Sequence, residues 1–276
     1  AHSGIALTNA PTLVDGSIYT ISFAGTDAAG NAATPVSATS VTYDAGTETP
    51  TLASPSASST DNATVAYDFT LPEAAASGTV TLTFTRTSGT ADANAPHVIT
   101  FNSNKETAAN HTGTLVGADL STSTDVSSVS SGVNDALLDG AIYSVKVEYQ
   151  DASSNTAANA TNASFTYDSS APTFTSTSPS TSTTVASANV SYTLSEAIAS
   201  GTVTYSRTGG TADVSSPHTA NLTGVELNTG AHSGIALTNA PTLVDGSIYT
   251  ISFAGTDAAG NAATPVSATS VTYDAG

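Results

Sequence analysis

The sequence contains no cysteine, methionine or tryptophan. Without cysteine the chain has no disulfide, no zinc-thiolate cluster and no thiol nucleophile. Its stability must therefore come from packing of side chains or from an ion held by oxygen ligands. The absence of cysteine also removes the usual compositional indication of a redox compartment.

Basic residues are almost as scarce, since 4 lysines and arginines face 22 acidic residues and the net charge is -18. Such a surface repels phosphate backbones, which excludes nucleic acid as a partner and disfavours anionic membrane surfaces. No apolar run approaches the roughly 20 residues that span a bilayer, so no membrane insertion is expected for this segment. Divalent cations are the partner that this charge favours.

Sustained helical periodicity is also absent, whereas alternation of apolar and polar residues recurs between clusters of Gly, Asn, Asp, Ser and Pro. Val65, Tyr67, Phe69 and Leu71 are one such stripe, and threonines and serines, about a third of the chain, fill many intervening positions. The pattern predicts an all-β protein of two-sheet sandwiches, each with about seven short strands.

Residues 1–46 recur letter for letter as residues 231–276, a spacing of 230 residues. A fixed period is typical of tandem arrays. Within the period two related units align, because Ala76–Thr81 corresponds to Ala199–Thr204 and Gly89–Asp92 to Gly210–Asp213. We therefore predict three parts: 1–46 as the C-terminal part of a repeat, 47–170 as a longer repeat and 171–276 as a shorter one. The extra length around Ser121–Ser131 is predicted to be a surface loop.

A short motif refines the fold class. Asp245-Gly246-Ser247-Ile248-Tyr249 recurs at Asp15–Tyr19 and is echoed at Asp139–Tyr143. It is similar to the approach to strand F of immunoglobulin folds, where the tyrosine hydroxyl bonds back to the preceding corner. The alternative is a core tyrosine at the start of any strand.

Four motifs together resemble the bacterial Ig-like tandem repeats of large secreted adhesins and biofilm surface proteins. They are Thr166–Thr173, Leu194–Ala197, Leu243–Gly246 and Thr256–Asn261. The resemblance implies a linear array of Ig-like β-sandwich domains, located outside the cell or on a bacterial cell surface. The first unit departs from the family turn at Ser154, where the family has Gly. Because Ser tolerates a left-handed backbone poorly, we expect a different turn there.

In an Ig-type sandwich the incoming linker and the turns after strands B and F share one pole, so the acidic residues at these places should meet. The resulting sets are Asp44, Glu73, Asp151 and Asn155 for the first unit, and Asp168, Glu196, Asp257 and Asn261 for the second. Asp139 and Asp92 are expected to approach the second set from the other side. Clustered carboxylate and amide oxygens suit calcium, and the resembled family uses interdomain calcium to stiffen its arrays. The alternative is that Asp and Asn only form turns.

Nothing in the sequence predicts catalysis, and we expect no enzyme. His97 and His218 lie outside any metal or nucleophile motif and are predicted to be solvated loop residues, and no Gly-x-Ser-x-Gly elbow is present. The alternating threonines of Thr79–Thr85 favour the solvent face of a strand, with contact to ice or carbohydrate as the alternative.

The function predicted from these observations is a structural stalk of a repetitive bacterial cell-surface or secreted adhesin or fibre, with neighbouring repeats as partners. One alternative is a self-assembling extracellular filament or sheath, in which residues 1–46 pair with strands of another copy. Another is a carbohydrate- or surface-binding module, which would need exposed aromatic residues. Most aromatic residues, however, fall on stripes predicted to face inward.

Overall fold

The computed structural model describes residues 2–276, and these residues form one β-hairpin followed by two β-sandwiches. The helical segments in this range are three short 3-10 turns, at Ser103–Lys105, Leu120–Thr122 and Gly224–Leu227. None of the described helical segments has the length or apolar character to cross a bilayer.

The hairpin consists of β1 (Ile18–Phe23) and β2 (Val36–Thr42), which pair antiparallel. Ile18 lies opposite Thr42 and Phe23 opposite Val36. This two-stranded sheet has no second sheet packed against it within the described residues, and Phe23 is 71% exposed.

The first sandwich contains a six-stranded and a three-stranded sheet. Its strands are β3 (Thr51–Ser54), β4 (Thr60–Asp61), β5 (Thr64–Thr70), β6 (Thr81–Gly89), β7 (His97–Phe101), β8 (Asn110–Val116), β9 (Val126–Ser130), β10 (Ala141–Tyr149) and β11 (Ala158–Tyr167). The sheet orders are β4-β11-β10-β6-β7-β9 and β3-β5-β8. The apolar members of each alternating stripe point between the sheets, and Val65, Tyr67 and Phe69 on β5 are at most 1% exposed.

The second sandwich repeats this plan with a five-stranded and a three-stranded sheet. Its strands are β12 (Phe174–Ser178), β13 (Thr184–Val185), β14 (Val190–Leu194), β15 (Ser200–Gly210), β16 (His218–Asn221), β17 (Gly230–Ile235), β18 (Ser247–Thr256) and β19 (Val266–Tyr273). The sheet orders are β13-β19-β18-β15-β16 and β12-β14-β17. Its core cluster runs from Phe174 to Val271, separate from the first cluster, which ends at Tyr167.

The predicted fold class, tandem Ig-like β-sandwiches, is confirmed by these two cores and their paired sheets. The described residues hold nine strands in the first sandwich and eight in the second, more than the seven expected, because two-residue strands and β9 are included. The boundaries after residues 46 and 170 stay a prediction.

The prediction of a surface loop at Ser121–Ser131 was wrong. The segment begins with a 3-10 turn that buries Leu120 completely, and it continues as β9, which pairs with β7 at the edge of the six-stranded sheet. Val126 and Val129 pack against the core while the serines between them face solvent. An edge strand needs only one apolar face, and the many serines on the other face of β9 made the segment resemble a loop.

The tyrosine corner is confirmed at all three copies of the motif. The hydroxyl of Tyr19 accepts a hydrogen bond from the Val14 amide at 2.9 Å. Tyr143 accepts one from the Leu138 amide, and Tyr249 accepts one from the Val244 amide. Each bond joins the start of a strand to the residue five positions earlier.

The expectation that His97 and His218 are solvated was wrong. His97 is 0% exposed, and its Nε2 lies 2.7 Å from Asp92 Oδ2. His218 makes the same contact with Asp213 at 2.6 Å. In both sandwiches the corner tyrosine donates to the same carboxylate oxygen at 2.7 Å. The histidine is therefore part of a buried polar group that closes the corner.

Candidate metal centres

The first carboxylate cluster lies where three strand ends meet. Asp44 follows β2, Glu73 follows β5 and Asp151 follows β10. One carboxylate oxygen from each lies within 4.8 Å of the other two. Asp151 is 1% exposed, and the other two are half-buried. The structure thus brings together the three carboxylates predicted for this pole.

The second cluster is built the same way one unit later. Asp168 follows β11, Glu196 follows β14 and Asp257 follows β18. Their oxygens also lie within 4.8 Å of one another, and Asp257 is 4% exposed. In each cluster one carboxylate comes from the chain segment that enters the sandwich and two come from turns of the sandwich itself.

The turn after strand F fixes the most buried carboxylate of each cluster. The Asp257 Oδ1 accepts from the Asn261 amide at 2.8 Å, and Asp151 Oδ1 accepts from the Asn155 amide at 3.0 Å. Asp side chains favour such turns because they satisfy backbone donors further along the chain. Each aspartate is therefore held in place before any ligand arrives.

The expectation that the first unit has a different turn at Ser154 was wrong. Its φ is 65°, in the left-handed region, and its amide donates to the Asp151 carbonyl at 3.1 Å. Gly260 has φ 93° and bonds to the Asp257 carbonyl in the same way. The hydrogen bonds of the Asp151 turn therefore hold serine in a backbone conformation that it rarely adopts.

The two asparagines reach their clusters but present nitrogen to the carboxylates. Asn155 Nδ2 lies 2.7 Å from Asp44 Oδ1 and 2.8 Å from Asp151 Oδ2. Asn261 Nδ2 donates to the Asp168 carbonyl and to Asp257 Oδ2, both at 2.9 Å. As they stand, the asparagines tie the incoming chain to the turn and orient the carboxylates.

Asp139 lies at the second junction, as expected. Its Oδ1 accepts from the Ser169 amide at 2.6 Å and the Ser170 amide at 3.1 Å. Asp92 does not reach the junction, because His97 and Tyr143 hold its carboxylate in the corner.

One tyrosine at the first cluster was missed. The Tyr149 hydroxyl lies 2.7 Å from the Glu48 carbonyl and 3.1 Å from Glu73 Oε1, and its single proton is shared between these two acceptors. The contact joins the incoming chain to the cluster. Its only signal in the sequence was its place at the end of an apolar stripe.

The second cluster is electrostatically unfavourable without a cation. Burial, followed by repulsion from Asp257 and Asp139, raises the pKa of Asp168. Burial and then repulsion from Asp168 and Asp257 raise the pKa of Glu196. The only lysine or arginine among residues 171–276 is Arg207, whose guanidinium donates to the Thr211 and Gly210 carbonyls.

The first cluster differs because hydrogen bonds compensate one carboxylate. Burial acts to raise the pKa of Asp151, but bonds from Asn155 and Thr47 outweigh it and the pKa is lowered. Three convergent carboxylates are the donor set of a hard divalent cation, and they fit calcium better than a transition metal.

Comparisons with known proteins place these features in context. The crystal structure of the chicken CNTN1 FN1-FN3 domains is similar with a TM-score of 0.36 and 11% identity, over 94% of this chain and 77% of that chain. No curated protein matches the sequence. Residues 168–273, which contain the whole second cluster, match the family model described as bacterial Ig-like domain.

Proposed function

We propose that this segment is a structural stalk of a repetitive bacterial cell-surface or secreted adhesin or fibre. The observation that carries the proposal is the repeated junction. At both Asp44 and Asp168 the chain leaving one unit supplies a carboxylate to two carboxylates of the following sandwich. A device repeated at successive junctions suits a protein whose task is to extend rather than to react.

The family match supports a structural role in a bacterial surface protein. Bacterial Ig-like domains occur in bacterial surface proteins and are typically non-catalytic structural modules. The aromatic residues of the two sandwiches support a structural role, because the largest of them are fully buried in the cores. A carbohydrate-binding module would instead present aromatic faces to solvent.

The proposed mechanism is mechanical. The longest strands have 9 to 11 residues, so each sandwich adds about 30 to 35 Å along the strand direction at ~3.3 Å per residue. The number of repeats then sets the reach. A net charge of -18 keeps neighbouring arrays soluble and mutually repelling.

We further propose that calcium binds at both junctions. Asp44, Glu73 and Asp151 would hold one ion, and Asp168, Glu196 and Asp257 the other. The ion would supply positive charge that cancels the repulsion among the carboxylates. Because one ligand precedes each sandwich and two belong to it, binding would restrain the hinge between units.

The test is small-angle scattering and thermal unfolding of the full chain with and without millimolar calcium, the range of extracellular sites. We expect calcium to raise the melting temperature and to narrow the distribution of particle dimensions. Replacing Asp168→Asn and Glu196→Gln should remove the response of the second junction. Asp135→Asn, which removes one negative charge and belongs to neither cluster, is the control and should retain the response.

Two outcomes would count against calcium: an unchanged melting temperature and flexibility, or an equal response in the junction variant and the control. A magnesium titration identifies general charge screening, since screening does not require the six to eight oxygen ligands of calcium.

A further inference from the structure

The apolar side of the β1-β2 hairpin has no partner within the described residues. We call Tyr19, Ile21, Phe23 and Val41 the open face. Ile21 is 42% exposed and Phe23 is 71% exposed. Burial of such large apolar side chains would stabilise the protein, and this stabilisation is lost while they are exposed. Contiguous exposed apolar residues of this kind mark an interaction surface.

The chain itself shows what covers an identical face. Residues 231–276 have the same sequence, and β18 and β19 pair in the same register as β1 and β2. There the equivalent residues Tyr249, Ile251, Phe253 and Val271 are at most 1% exposed. The difference in exposure therefore comes from the partner and not from the sequence of the hairpin.

The cover in the second sandwich is supplied by residues 171–230. The Phe174 and Tyr192 rings pack against Phe253, with centroids 6.1 and 5.9 Å apart. β15 pairs along the free edge of β18, and β13 pairs along the free edge of β19. Both corresponding edges of β1 and β2 are unpaired within residues 2–276.

A polar contact also lacks its counterpart. The Tyr249 hydroxyl accepts from Val244 and donates to Asp213 Oδ2 at 2.7 Å. The Tyr19 hydroxyl makes the first of these bonds, to Val14, but nothing in the described range stands where Asp213 stands. The missing carboxylate belongs to the same segment as the missing aromatic rings.

We propose that the open face is a docking surface for one occupant, a polypeptide segment with the sequence of residues 171–230 that belongs to another repeat. The occupant would add strands to both edges of the hairpin, cover the open face with the equivalents of Phe174 and Tyr192, and supply the carboxylate for Tyr19. This inference rests on the array of the proposed function but not on calcium.

A second copy of this chain is a poorer occupant. Its residues 171–230 already pair with its own residues 231–276, so an exchange would replace contacts by identical contacts. Closure within one chain also has an effective concentration in the millimolar range, which favours it at micromolar protein. The chain alone is therefore expected to be a monomer with the open face free.

The test mixes the full chain with a separate polypeptide of residues 171–230 and measures complex formation by calorimetry and light scattering. We expect a 1:1 complex. Phe23→Asp should weaken it at least tenfold without changing the melting temperature of the two sandwiches, since Phe23 is exposed. Ser22→Asp, on the opposite side of the same strand, should retain binding.

If the separate polypeptide aggregates, a single chain that contains both parts provides the test. Residues 171–230 are joined directly before residue 1, as residue 230 precedes residue 231 here. We expect the enthalpy of unfolding to rise about 1.5-fold, as a third sandwich requires, and an unchanged enthalpy would overturn the proposal.

Three further outcomes would overturn it in the mixing experiment: no complex, a complex that Phe23→Asp does not weaken, or self-association of the chain alone that Phe23→Asp abolishes. The last would identify a second copy as the occupant. None of these outcomes would affect the scattering test of the junctions, so failure here is distinguishable from failure of the stalk proposal.

Discussion

At the residue scale, the corner tyrosine has two roles that the structure separates. Its hydroxyl accepts a backbone amide at every copy, but it donates to a buried aspartate only where a complete sandwich exists. The aspartate accepts from the histidine ring and from a backbone amide as well. A buried carboxylate with this many donors is stable because each desolvated lone pair is used.

The two copies of the motif provide a matched pair of variants. Tyr249→Phe should destabilise the second sandwich by about 1 to 3 kcal/mol, because it leaves the Asp213 carboxylate short of a donor in a buried site. Tyr19→Phe, in an identical sequence, should change the free energy of unfolding by less than about 0.5 kcal/mol. Denaturant unfolding of both variants measures the difference, and equal effects would contradict the assigned role of Asp213.

Substitution of Ser154 is expected to stabilise the protein, whereas Tyr249→Phe is expected to destabilise it. Ser154→Gly should stabilise the first sandwich by about 0.5 to 1 kcal/mol, because glycine adopts a φ of 65° without the cost of a Cβ atom. Ser153→Gly is the control, since Ser153 is not left-handed, and it should be neutral or destabilising. Thermal unfolding decides, and a loss of stability in Ser154→Gly would show that the serine side chain matters more than the backbone strain.

At the element scale, the hairpin occurs twice with one sequence and two environments. The strand register, the left-handed serines Ser40 and Ser270, and the Asp-Asn turns at Asp27 and Asp257 are the same in both copies. Local hydrogen bonding and turn chemistry therefore determine the shape of the hairpin. Burial differs completely, because it depends on which other strands lie against the face.

This comparison predicts how the same substitution acts in the two copies. Phe253→Ala should destabilise the second sandwich by about 3 to 5 kcal/mol, as expected for a phenylalanine removed from a packed core. Phe23→Ala should cost less than about 0.5 kcal/mol, since its side chain already meets solvent. Chemical denaturation provides the measurement. A comparable cost at Phe23 would show that its face is covered in solution.

Whether a strand or a side-chain contact could be predicted depended on how much of its sequence pattern lies in one short stretch of the chain. The β5 and β10 stripes alternate regularly between polar residues, so their strands and buried faces were predictable. β9 was not, because an edge strand with two valines among serines resembles a loop. His97 was not, because its partner Asp92 and its neighbour Tyr143 are brought to it by different strands and turns.

At the scale of the whole molecule, charge connects stability to pH. The folded pKa values of Asp168 and Glu196 lie above their unfolded values of 3.8 and 4.5. The folded state therefore binds more protons in the window between, and the free energy of unfolding falls as pH rises through it. At a pH above these raised pKa values all carboxylates of the cluster are charged and repel one another. Protonation in acid relieves this repulsion.

We accordingly expect Asp168→Asn to be more stable than the parent chain at pH 7 without divalent cations, by a few tenths to about 1 kcal/mol. The difference should shrink on acidification and vanish well below pH 3.8, where the carboxyl is protonated in both the folded and the unfolded state. With calcium at pH 7 the order should reverse. Melting temperatures of both proteins across this range test the sign, and a variant that is less stable without calcium would contradict it.

The candidate sites show the same division between sequence and tertiary structure. The strand order expected for an Ig-type sandwich placed the two sets of carboxylates at common poles, and the carboxylates do lie together. The orientation of Asn155 and Asn261, with nitrogen toward the carboxylates, and the contact of Tyr149 with Glu73 were not predictable. These details depend on how the incoming chain packs against the turn.

By itself the sequence determined the regularly alternating strands, the tyrosine corner and the repeat, because each depends on residues close together in the chain or on a pattern along it. Only the tertiary structure decided which apolar faces are buried, which carboxylates are compensated, and that identical residues are core at Phe253 and surface at Phe23. Burial is a property of two surfaces in contact, and a sequence that forms one of them does not contain the other.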